Sequence, residues 1–169
     1  MASPRTIPQM RCPGCGASFA QSDGPTHPYI GASAGCWTVY GDILAKEYGE
    51  YGYPDVHRLT VDTYAVQHPG VPSPQSIQSV SIHLIGLHLV LERKLGAKAV
   101  TAALRKSVTN APHFVWLDPP ARPGELTVLD VKDAASLDAH IARVEDWARD
   151  VWQAWSSHHD TIRALAAFS

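Results

Sequence analysis

Cysteine is scarce in this chain, with Cys12, Cys15 and Cys36 the only three in 169 residues. In a reducing compartment so few thiols stay free or bind metal, so a disulfide framework is not expected. Long apolar runs are also missing. The longest, Ile82 to Leu91, holds two histidines and falls well short of the roughly 20 residues that cross a bilayer. The opening stretch MASPRTIPQM lacks the apolar segment of a signal peptide. A soluble, cytoplasmic protein with no membrane partner is therefore expected. Like charges form no block and the formal net charge is −2, which argues against a nucleic-acid partner, since that needs a basic face. Internal repeats, low-complexity tracts and the strand–helix alternation of a parallel sheet are all absent.

What is present suits one domain with a real core: an ordinary apolar fraction of 45% over a length that can bury it. Trp37, Tyr40, Leu44 and Tyr48 recur at steps of three and four and predict a helix from Cys36, ended by Gly49 and Gly52. A shorter helix is predicted over His57 to His68, closed by Pro69-Gly70. The most apolar helix spans about Gln75 to Lys94, with Ile77, Val80, Leu84, Leu87 and Leu91 in one stripe and apolar residues on much of the rest. Such a helix belongs in the middle of a bundle. Another covers Ala97 to Thr109 with Val100, Leu104 and Val108 inward, and residues 111–125 form a proline-rich surface loop anchored by Phe114 to Leu117. One long helix is predicted from Ser136 to Ala167. The fold class is all-α: a single domain, 1–169, with a four- to five-helix bundle at 36–169 under an irregular metal-binding cap at 1–35.

Chemistry concentrates in that cap. Gly31-Ala32-Ser33-Ala34-Gly35 fits the G-x-S-x-G pattern of a serine nucleophile. A nucleophile elbow needs a strand before the serine and a sheet beneath it, and neither is predicted, so a turn before a helix is the better reading of Ser33. Cys36 sits where a helix dipole would favour a thiolate, which leaves three readings open: reactive thiol, core cysteine or metal ligand. Cys12-Pro13-Gly14-Cys15-Gly16 is the strongest local signal. Two thiolates two residues apart reach one ion, and zinc takes four soft tetrahedral ligands. Adding His27 and Cys36 gives C-x2-C-x11-H-x8-C, which would pin the irregular segment to the first helix. Histidines from the bundle could complete the shell instead.

Nine histidines are many for this length. His57 and His68 share one face of their helix with Val61 and Tyr64, His83 lies on the apolar stripe of the central helix, and His159 follows Trp152 and Trp155. Buried polar groups are costly unless paired. One divalent ion would satisfy several together and keep a position open for water, with Asp62 as a supporting carboxylate or base. A hydrogen-bonded cluster with Tyr64 and Gln67, or separate core histidines, are the alternatives. His83 and His88, five apart, do not share a face.

The stretches CPGCG, GPTHPYIGASAGCW, HRLTVDTYAVQHPG, QSVSIHL and VWQAWSSHH resemble a bacterial protein family known only as a domain of unknown function. The resemblance covers residues 12 to about 165 and implies that Cys12, Cys15, His27, Cys36, His57, Asp62, His68, His83 and His159 lie within the family's motifs. It implies no activity, substrate or fold. In architecture the chain is loosely similar to DinB-like helix bundles, whose metal is held by three histidines from different helices; their HxxxH pair is absent here.

Three functions are therefore to be distinguished. The first is a zinc metalloenzyme, a hydrolase or group transferase acting on a small molecule. Its metal ligands would be drawn from Cys12, Cys15, His27, Cys36, His57 and His68, its catalytic groups would be His83, His159 and Asp62, and a second divalent ion is allowed. The second is a non-catalytic, zinc-stabilised module that binds a protein partner. The third is a thiol enzyme built on Cys36.

Overall fold

The computed structural model describes residues 7–110 and 114–168. Among these residues seven α-helices follow a two-stranded hairpin: β1 (Gln9–Arg11), β2 (Ser18–Ala20), α1 (Ala34–Tyr48), α2 (His57–Gln67), α3 (Pro74–Leu91), α4 (Ala97–Asn110), α5 (Val128–Val131), α6 (Leu137–Ala154) and α7 (His159–Ala166). The all-α expectation holds. No described helix is long and apolar enough to cross a membrane.

Local chemistry explains the helix starts. Ser33 caps α1 by accepting a hydrogen bond from the Cys36 amide, so the serine of the G-x-S-x-G pattern serves as a cap. Ser73 and Ser76 form a reciprocal capping box at α3, with Pro74 in its first turn, where its missing N–H costs nothing. Ser136 caps α6 through the Ala139 amide.

α3 is the central helix, packed against α2, α4, α6 and α7, and α2 also lies on α6. Leu84, Ile85 and Leu87 of α3 are fully buried, with Val144, Trp147 and Val151 of α6 against the same core.

The N-terminal segment is largely irregular as expected, with one short addition: β1 and β2 pair antiparallel, Met10 opposite Phe19, on either side of the cysteine loop. Two expectations need correction. On α4 the buried positions are Val100, Leu104 and Ser107, while Val108 is half-exposed; a spacing of four then three fits the helix better than four then four. The long C-terminal helix is broken. It stops at Ala154, a 3-10 turn spans Ser156–His158, and α7 starts at His159. At the break the buried Trp155 donates its indole N–H to the carbonyl of Val66, one of the last carbonyls of α2, which has no partner within its own helix.

Candidate metal centre

Cys12, Cys15, Cys36 and His68 meet at one point, their ligand atoms all within 4.8 Å of one another, and all four are buried. Each arrives from a different piece of structure or a different bend of one. Cys12 and Cys15 lie in the turn between β1 and β2, closed by hydrogen bonds from the Gly16 amide to the Cys12 carbonyl and from the Cys12 amide to the Ala17 carbonyl. Cys36 stands in the first turn of α1, and His68 ends α2. Gly14 lets this loop close over the imidazole, because a Cβ there would collide with the His68 ring.

The spacing suits a tetrahedral ion. With zinc–sulfur bonds of about 2.3 Å and zinc–nitrogen bonds of about 2.0–2.1 Å, sulfurs would stand roughly 3.8 Å apart and sulfur would stand roughly 3.6 Å from nitrogen. Cys15 and Cys36 Sγ are 4.0 Å apart, and Cys36 Sγ is 3.4 Å from His68 Nε2. The histidine is oriented for this role. Its Nδ1–H donates to the Tyr64 carbonyl at 2.8 Å, which leaves the Nε2 lone pair directed at the sulfurs. The Ser33 amide is 3.4 Å from Cys12 Sγ, and the Tyr64 hydroxyl is 3.4 Å from Cys36 Sγ. Both can stabilise thiolate charge.

The electrostatics agree. Packed this closely, the three thiols shift one another's proton affinity in opposite directions. Hydrogen bonds from Cys15 and Cys36 hold the Cys12 thiol far below the ordinary thiol range. Sharing its proton with Cys12 pushes the Cys15 thiol up to about 11. Cys36 is pushed further, by hydrogen bonding to Cys12 and Cys15 and by burial. A divalent cation removes this conflict, since coordination draws every thiol ligand to thiolate.

The remaining candidates stand elsewhere. His27 is outside the four: its ring packs edge-on to Tyr29 and against Trp37. His57, His83 and His159 do not converge with His68. His57 Nδ1 donates to Glu47 Oε2 at 2.6 Å, His83 Nδ1 to Asp62 Oδ1 at 2.7 Å, and His159 Nε2 to the Trp152 carbonyl at 2.9 Å. These three histidines thus find separate acceptors, and among the described residues only His68 joins a metal-binding group.

Two residues of these networks were not singled out from sequence. Glu47, fully buried, accepts from His57, from Thr60 Oγ1 at 2.6 Å and from His140 Nε2 at 2.7 Å. The signal was spacing: Glu47 continues the Tyr40–Ile43 stripe of α1, and His140 precedes Val144, Trp147 and Val151 at steps of four, three and four.

Fold and site together define a helical domain in which the N-terminal hairpin, the start of α1 and the end of α2 bring together a buried three-cysteine, one-histidine cluster able to hold a metal ion. A family model described as a family of unknown function (DUF5946) matches residues 10–156, and the chain belongs to that family. No curated protein and no solved structure matches it.

Proposed function

We propose that this chain is a zinc-stabilised helical domain and that the ion is structural, tying the N-terminal hairpin to the start of α1 and the end of α2. The observation that carries this reading is the convergence of four buried ligand atoms within 4.8 Å. Three thiolates and one imidazole are a soft, tetrahedral donor set, which favours zinc over the hard cations. Reduced thiols as ligands also suit a cytoplasmic setting.

A structural site fills all four positions with protein ligands, whereas a catalytic one keeps a position for water or substrate. Four buried donors leave no such position, so a hydrolase or transferase that works through the metal is the weaker reading. The Cys36 thiol enzyme is weaker still, because Cys36 is wholly buried and faces the other three ligands. A partner-binding module and a small-molecule enzyme whose chemistry lies away from the ion both remain compatible with a closed metal site.

Cobalt substitution tests the proposal. Co2+ bound by three thiolates and an imidazole gives intense thiolate-to-metal absorption and strong tetrahedral ligand-field bands, and His68→Ala should weaken or lose both. Weak six-coordinate bands, or a spectrum unaffected by His68→Ala, would overturn it.

A further inference from the structure

Beside the metal centre lies a second arrangement that the structural ion does not use. His83 projects from α3 with Nδ1 held by Asp62. The Asp62 carboxylate is wholly buried and is fixed from its other side by Arg58, whose Nε and Nη2 donate at 2.9 and 2.7 Å. The fit is tight: a Cβ on Gly86 of α3 would strike that carboxylate. Because a carboxylate only accepts, Nδ1 carries a proton, and in the neutral ring Nε2 then presents the lone pair. Among the described residues nothing hydrogen-bonds to Nε2, and the side chain is about one-fifth exposed.

His83 borders a cavity of about 150 Å³ whose other walls include Trp37, Tyr40, Tyr64, Tyr29 and His27. These rings brace one another. Tyr40 and Tyr64 stack at 3.7 Å, and Trp37 lies 5.5 Å from Tyr40 and 5.8 Å from Tyr64. Walls already packed need little ordering when a ligand enters. Among the described residues no lysine, arginine, aspartate or glutamate lines the cavity, so an ionic ligand would lose its hydration without a formal counter-charge. Tyr29, Ser79 and His83 also border a shallower groove of about 290 Å³ that carries the amides of Gln75 and Gln78, which gives the cavity a polar way out.

We propose that this cavity is a binding site for a compact, uncharged, planar molecule bearing an O–H or N–H, which slides between the aromatic walls and donates to His83 Nε2. His83 is then a general base, with Asp62 and Arg58 as positioning residues. Transfer of the proton breaks the ligand's O–H or N–H bond, leaves the electron pair and a negative charge on that oxygen or nitrogen, and forms Nε2–H, so that the ligand anion is paired with an imidazolium that the Asp62 carboxylate supports. The inference does not depend on the identity of the metal, although Tyr64 touches both places, its ring in the cavity wall and its hydroxyl on Cys36.

Imidazole 15N spectra of the zinc-loaded protein test the site, with phenol, anisole, benzoate and tetramethylammonium as probes and zinc content measured on the same sample. Phenol should move the His83 Nε2 and Trp37 indole signals saturably. Anisole, of the same shape without the donor, should bind about tenfold more weakly, the equivalent of one hydrogen bond. His83→Phe should erase that preference with zinc content unchanged. Asp62→Asn should shift the His83 nitrogens toward mixed tautomers, a change that lost packing alone does not produce. If phenol leaves both signals unmoved, binds no better than anisole, or is outbound by benzoate or tetramethylammonium, the proposal fails. The comparison of probes on the unaltered protein decides this even if His83→Phe does not fold.

Discussion

At the scale of single residues, Gly14 and Glu47 show how little freedom the buried polar groups leave. Gly14→Ala drives a methyl group into the His68 ring. Disturbing the orientation of a metal ligand typically costs about 10–100-fold in metal affinity. A drop of that order is expected in competition with a chromophoric chelator, and an unchanged affinity would show that the loop does not need this approach. Glu47 holds three donors in a dry site. Glu47→Ala breaks that network and should cost about 3–5 kcal/mol of unfolding free energy, with zinc content unaltered. Its pH dependence has a definite sign. Burial pushes the Glu47 carboxyl up, but the hydrogen bonds from His140, Thr60 and His57 outweigh it and hold the group below the ordinary carboxylate range. The folded state therefore takes up this proton less readily than the unfolded chain. The stabilisation is complete above the ordinary carboxylate range and is lost as pH falls through the lowered folded value. Urea midpoints measured against pH should thus fall less steeply in acid for Glu47→Gln than for the unaltered protein. Parallel curves would refute the assignment. In sequence, Cys12 and Cys15 were legible as a pair because their closeness is local. Cys36 came into reach through its neighbourhood. His68 could not be chosen over His27, because its place depends on how the end of α2 meets the start of α1.

At the scale of elements, periodicity carried the helices and failed at their interruptions. α1, α2, α3 and α4 are all visible as runs at steps of three and four; α1 and α2 stop against Gly49 and Pro69-Gly70, whereas α3 stops at Leu91, five residues before Gly96. The break after Ala154 has no glycine or proline to announce it. Its cause is tertiary: buried Trp155 is committed to the Val66 carbonyl at 3.2 Å. The hairpin escaped for another reason, since strands of three residues are too short for alternation to register. Helix faces likewise told which side each histidine occupies but not what faces it, so His57, His83 and His159 could be gathered into one cluster that the fold distributes over Glu47, Asp62 and the Trp152 carbonyl. Trp155→Phe keeps a six-membered ring but removes the indole N–H together with the five-membered ring, leaving a buried carbonyl unpaired beside a small cavity. A loss of about 1–3 kcal/mol is expected, read as a lowered denaturant midpoint. No loss would mean that Val66 finds another partner.

At the scale of the whole molecule, the two parts of the chain rest on different forces. The bundle buries Leu84, Ile85, Leu87, Val144, Trp147 and Trp155 almost completely, and none of these side chains belongs to the four-residue cluster able to hold a metal. The hairpin contributes two strands of three residues and one large buried side chain, Phe19, too little to order itself alone, and the proposed ion would supply what it lacks. Stripping the ion should therefore raise hydrogen exchange in β1, β2 and the first turn of α1 while amides of α2, α3 and α6 stay protected. Uniform deprotection would mean that the ion holds the whole fold. The most direct measurement is metal content per chain, by native mass spectrometry with elemental analysis, on untagged protein, Cys12→Ser, His68→Ala and His83→Phe. The expected result is a single zinc in the unaltered protein and in His83→Phe, reduced or lost in Cys12→Ser and His68→Ala. Zinc that persists fully in both of those variants, or a protein that carries no metal, would contradict a structural centre made by Cys12, Cys15, Cys36 and His68.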